Sequence, residues 1–174
     1  MNAAGIIARM ENIPEAIRAM CTGLTIADSH FKPPSGAWSI VEIVCHLVDE
    51  DRDDFRKRLK LTLESPGTPW PLNDPEAWAR DRQYQDRDLH EALDNFAKER
   101  AESMVWLRSL GTVDWTTAYQ HPKVGPVTAG ELLVSWAAHD ALHVRQIAKR
   151  MFELAARDGE TDGFSTRYAG EWGA

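Results

Sequence analysis

Trp38-Ser39-Ile40-Val41-Glu42-Ile43-Val44-Cys45-His46-Leu47 announces the start of a helix in two independent ways. Ser39 and Glu42 form the S-x-x-E pattern of a capping box, in which each side chain satisfies a free backbone N–H of the first turn. Trp38 and Ile43 occupy the flanking positions of a hydrophobic staple. From Ser39 onward Ile43, Val44, Leu47, Phe55, Leu59 and Leu63 keep a helical period until Ser65-Pro66-Gly67 breaks it.

Three more stretches carry the same period. The first runs from about Ala4 to Leu24 through Ile6, Ile7, Met10, Ile13, Ile17 and Met20, with Pro14 forcing a kink or a restart. The third covers about Asp86 to Leu110, burying some combination of Leu89, Leu93, Phe96, Val105 and Leu107, and ends at Gly111. The fourth opens on a second capping box, Thr128 with Glu131, and continues through Leu132, Leu133, Trp136, Ile147, Met151 and Leu154 to about Arg157. No alternating strand pattern lies between them, so the expected fold is all-α, a four-helix bundle over residues 1–157. Residues 158–174 form a polar, Gly-rich tail relieved by Phe164, Tyr168 and Trp172. Glu64 to Gln85 reads as a long loop without regular structure, carrying Trp70, Pro71 and Trp78 and able to overhang a site.

With 174 residues, 43% of them hydrophobic, the chain suits one domain with a real core. A formal charge of -7 argues against a nucleic-acid partner, because phosphate binding relies on clustered Lys and Arg. No apolar stretch approaches the roughly 20 residues needed to span a bilayer, and Met1 to Met10 has no leader pattern. A cytoplasmic protein with no membrane partner is expected. Cys21 and Cys45 are too few for a disulfide framework and read as reduced, buried thiols.

The chemistry gathers on the fourth helix. His139 and His143 are four residues apart, one turn from each other on one face, where two imidazoles can grip a single ion. At 100 degrees per residue both lie along the edge of the apolar stripe, and His46 takes the equivalent edge of the second helix beside Ile43 and Glu50. Three neutral imidazoles would leave open coordination positions, as catalytic metal sites do, whereas structural zinc sites close with four protein ligands. Spacing alone leaves a second reading open, since a histidine at an apolar edge is often an ordinary core residue.

Three further residues are candidates for chemistry. Asp140 falls near the centre of the apolar stripe and so requires a partner, with a hydrogen bond to a ligand histidine the first expectation. A base role in an imitation of the H-E-x-x-H motif is its alternative, although Asp is one methylene shorter than the Glu used there. Glu50, a turn beyond His46, can orient a ligand, act as an acid–base group, complete the coordination sphere or simply be solvated. Gln146 lies near the histidine edge, in reach of a substrate or bound water, or exposed without a role. Cys45 is rotated about 100 degrees from His46 and reads as a small buried hydrophobe. Glu42 is explained by its cap, His30, His90 and His121 as surface or loop residues, and nothing in the third helix looks chemical.

The Trp38–Leu47 segment resembles the signature of DinB/YfiT-like proteins. His139-Asp140-Ala141-Leu142-His143-Val144-Arg145-Gln146-Ile147 resembles that family's second motif, and the helix spacing matches over nearly the whole chain. The resemblance implies an up-down-down-up bundle, often in a homodimer. It implies that His46, His139 and His143 hold one divalent ion, zinc or nickel first, then manganese or iron, and act on a small-molecule substrate. Members with assigned chemistry resemble S-transferases or isomerases that use a low-molecular-weight thiol such as bacillithiol, mycothiol or glutathione. A thiol S-transferase is therefore the leading expectation, with a metal-dependent hydrolase and a non-catalytic metal-binding stress-response protein as alternatives.

Overall fold

The computed structural model describes residues 1–173, so Ala174, the end of the expected tail, lies outside the described residues. The first helix arrives in two pieces, α1 (Ala3–Glu11) and α2 (Ile13–Met20). Pro14 stands in the first turn of α2, where its missing N–H removes no intrahelical bond. A single turn, α3 (Ile26–Ser29), follows.

The second helix is built from α4 (Ile40–Asp49), a wider π-type segment (Glu50–Phe55) and α5 (Arg56–Glu64). Its capping box forms as the sequence suggests: the Ser39 N–H donates to Glu42 Oε2 at 2.8 Å, and the Glu42 N–H to Ser39 Oγ at 3.4 Å. Next come α6 (Pro75–Asp81), a 3-10 turn (Tyr84–Asp86) and α7 (Leu89–Ser109). Strands β1 (Ala118–His121) and β2 (Gly125–Thr128) pair antiparallel, with Tyr119 opposite Val127, before α8 (Ala129–Glu160).

The first helix packs on α7 and α8, and so does the second. Helices that follow each other in the chain, first to second and third to fourth, therefore face each other across the bundle. That diagonal step accounts for the long connections 21–39 and 110–128. The apolar interior falls into two blocks. One gathers Ile17, Ile40, Val44, Leu47, Phe96 and Ile147, the other Met10, Phe55, Leu59, Met104, Leu133 and Trp136. Arg100 sits where they meet, its guanidinium 5.0 Å from the Phe96 ring centre and 5.7 Å from that of Trp136.

Three expectations are corrected. The 64–85 loop is not structureless: Asp74 accepts from the Ala77 N–H and Pro75 takes the first helical position, a start signal hidden inside a proline-rich stretch. Strands do occur, as the β1–β2 hairpin, whose tight turn uses Gly125 at φ +79°. Its Tyr119 ring stacks on Trp70 of the connecting segment at 4.4 Å. Val105 is 69% exposed, because Met104 takes the inward position of that turn. In the C-terminal stretch the Trp172 ring lies 5.7 Å from Phe152 of α8, while Phe164 and Tyr168 are exposed. Among the described residues no helix is long and apolar enough to cross a membrane.

Candidate metal centre

α4 presents His46 and α8 presents His139 and His143, and the two helices are neighbours. The three imidazoles converge on one point through their Nε2 atoms: His139 Nε2 lies 3.3 Å from His46 Nε2 and 3.0 Å from His143 Nε2. Together they form a group whose ligand atoms all fall within 4.8 Å of one another. Burial, with the neighbouring rings next in effect, pushes His46 down to about 2. Burial and then His143 bring His139 down to about 3, and burial lowers His143 as well. All three are therefore neutral at ordinary pH, the form in which imidazole donates to a metal.

The environment fits a cation. Gln146 Oε1 lies 2.7 Å from His143 Nδ1 and, as an acceptor, makes Nδ1 the protonated nitrogen, leaving the Nε2 lone pair bare toward the other rings. Among the described residues the buried Nδ1 atoms of His46 and His139 have no hydrogen-bond partner. One proton on the His139 Nε2 can serve only one of its two neighbours at a time, whereas one divalent ion accepts a lone pair from all three rings.

The cluster forms one wall of a cavity of about 600 Å³, whose other walls are Trp38 and Ile43, the connecting segment at Asn73, Pro75 and Glu76, and Gln146 and Arg150 of α8. Glu50 opens onto the same space. Its carboxyl lies 3.7 Å from His46 Nδ1, outside hydrogen-bond reach, and accepts from Asn73 Nδ2 at 3.3 Å. Burial first and the neighbouring Asp54 next push the Glu50 carboxyl well above the usual carboxylate range. It stands outside the three-nitrogen group.

Asp140 is placed differently from expectation. It has the partner its burial demands, but that partner is Arg100 of α7 and not a histidine. Arg100 is 1% exposed and spends all five N–H groups: two on Asp51, two on Asp140 and one on the Met10 carbonyl, at 2.7–2.8 Å. The Trp136 Nε1–H adds a bond to Asp51 Oδ1 at 2.8 Å. This unit joins all four bundle helices directly behind the histidines. Burial raises Asp140 to about 6 even beside Arg100. A base role for Asp140 is thereby displaced, since its oxygens are committed to the guanidinium and it does not line the cavity.

Sequence reasoning missed Arg100, Asp51 and Asn73. The π-type segment explains one omission: its extra residue per turn lets the adjacent Glu50 and Asp51 both be buried, one toward the cavity and one toward Arg100. Cys45 is buried, with its thiol pushed to about 12, and is not part of the histidine group.

Fold and site define a class of protein: a four-helix bundle with three histidines from two helices poised to take a metal ion at a cavity wall. The family model of the DinB superfamily matches residues 9–147, and the chain belongs to that superfamily. The sequence has no match among curated proteins. Among solved structures the chain is similar to YfiT from Bacillus subtilis, described as a probable metal-dependent hydrolase with an unusual four-helix bundle topology. The TM-score is 0.78 over 88% of this chain and 87% of that one, at 19% identity, a likeness of fold.

Proposed function

We propose that this chain is a metal-dependent hydrolase of small molecules, with His46, His139 and His143 as the ligands of one divalent ion and Glu50 as the acid–base group. The observation that carries the reading is the convergence of three imidazole Nε2 atoms on the wall of a roomy cavity, beside a buried carboxyl. When bound, a divalent ion supplies Lewis acidity to whatever occupies its open positions and lowers that group's pKa. Zinc and nickel suit an all-imidazole donor set; manganese and iron are more often accompanied by a carboxylate.

The protein's own residues supply the rest. Glu50, held by Asn73 and raised above the usual carboxylate range, starts as the acid: it gives its proton to the leaving group as the scissile bond breaks and recovers one from the attacking water. Gln146 keeps the His143 tautomer and ring orientation. Trp38, whose ring centre is 4.9 Å from that of His46, and Ile43 give an apolar wall that excludes water from one side. YfiT, similar in fold and described as a probable metal-dependent hydrolase, supports the reaction class. A low-molecular-weight thiol S-transferase is the second reading.

The test is a panel of ester and amide substrates, and of thiols paired with electrophiles, assayed with zinc- and nickel-loaded protein and its Glu50→Gln variant. Hydrolysis that falls about 100-fold or more in Glu50→Gln with metal content unchanged supports the hydrolase. Turnover only with a thiol would replace it by the second reading.

A further inference from the structure

Arg150 is 4% exposed, yet it lines the cavity. It follows His143 by seven residues and Gln146 by four on the same face of α8, about 10 Å beyond His143 along the axis at 1.5 Å per residue. Glu153 occupies one edge of the Arg150 guanidinium, 2.9 Å from Nε and 3.4 Å from Nη2. Nε meets Glu153 as an ion pair without hydrogen-bond geometry, and both Nε and Nη1 are buried with no hydrogen-bond partner among the described residues. Folding has taken a charged donor out of water without giving it an acceptor, a costly arrangement unless something else supplies one. Among the described residues Arg150 is the one Lys or Arg side chain lining this cavity.

We propose that Arg150 is an anion subsite: the substrate carries a carboxylate that binds the Arg150 guanidinium in competition with Glu153, while its reacting group lies at the histidine cluster and its apolar body against Trp38 and Ile43. The proposal rests on the reading of His46, His139 and His143 as metal ligands. It narrows the substrate class to small carboxylates bearing a second oxygen-containing group two helical turns away. A charge-assisted bond from a guanidinium to a carboxylate is strong and directional, so the subsite selects by length as well as by charge.

The experiment uses cobalt-loaded protein titrated with acetate and with the dicarboxylates from malonate to adipate, followed by the cobalt absorption bands and by calorimetry. One chain length is expected to bind tighter than acetate. Arg150→Gln weakens that dicarboxylate about tenfold to hundredfold and leaves acetate, which reaches only the metal, unchanged. Glu153→Gln, which removes the competing carboxylate, tightens it. If Arg150→Gln is unstable, the Glu153→Gln variant reads the same subsite with Arg150 in place. Wild-type protein that takes up no cobalt would overturn the metal reading and this inference with it. Cobalt uptake with no dicarboxylate preference, or a preference that survives Arg150→Gln, would overturn the subsite alone.

Discussion

Replacing Arg100 with methionine removes five N–H donors from a site that water does not reach. Asp51 and Asp140, both 1% exposed, then face each other without a cation, and the Met10 carbonyl and the Trp136 side of Asp51 lose their common partner. Breaking a buried ion pair by deleting one member costs about 3–5 kcal/mol, because the remaining charge is stranded. Here two carboxylates are stranded, which places Arg100→Met at the upper end of that range near pH 8. For a domain of this size about 2–4 °C is lost per kcal/mol, so the melting temperature should fall by about 10–20 °C. The loss has a pH signature. Burial already raises Asp140 to about 6, and without Arg100 it rises further. The folded state then holds a proton that the unfolded chain releases near pH 4, so stability falls as pH rises through the interval between those values and recovers on acidification. Urea and thermal unfolding of metal-free protein by circular dichroism, at pH 5 and pH 8, measure both effects. The triple variant Asp51→Leu, Arg100→Met, Asp140→Leu should regain most of the stability, since apolar replacement of the whole unit leaves no stranded charge. A loss below about 1 kcal/mol at pH 8, or one equal at both pH values, would refute the reasoning.

The other predictions concern the histidines. In metal-free protein His46 and His139 stay neutral when folded, titrating at about 2 and about 3, whereas in the unfolded chain they protonate near 6.5. Below pH 6.5 the unfolded state binds more protons, so stability should drop with falling pH by up to about 1.4 kcal/mol per unit for each histidine. Glu50 and Asp140, both raised by burial, act in the opposite direction over the same range, so the histidine contribution is read as the difference between wild type and the His46→Ala, His139→Ala variant in urea unfolding; a difference that stays flat between pH 7.5 and pH 5 contradicts this. Gln146→Leu removes the acceptor that fixes the His143 tautomer and should weaken metal binding about 10- to 100-fold in a chelator competition, with helicity retained. Unchanged affinity would mean that His143 needs no such support.

The bundle was readable because local signals and periodicity agree at the same places. Two capping boxes, at Ser39 and Thr128, mark the starts of the helices that carry all three histidines, and both form as written. The H-x-x-x-H spacing placed His139 and His143 on one face, and the position of His46 at a stripe edge brought it to them. The π-type segment was not readable, because an extra residue in a turn leaves the composition of the helix unchanged. Arg100 left a trace that went unused: Leu93, Phe96, Arg100, Met104 and Leu107 recur on one stripe, and an arginine in an apolar stripe demands a buried anion. The same logic applied to Asp140 alone found a demand without its answer, since the answer lies 40 residues away on another helix. α6 was hidden by its prolines, although Asp74-Pro75 is a cap followed by a favoured first residue.

The central claim is that His46, His139 and His143 hold one ion. Untagged protein and its His46→Ala, His139→Ala double variant, purified without chelator and analysed for metal by mass spectrometry, test it most directly. The account predicts about one divalent ion per chain in the wild type and none in the variant, with the helical content of both retained. A wild type without metal, or a variant that keeps it, would contradict the account.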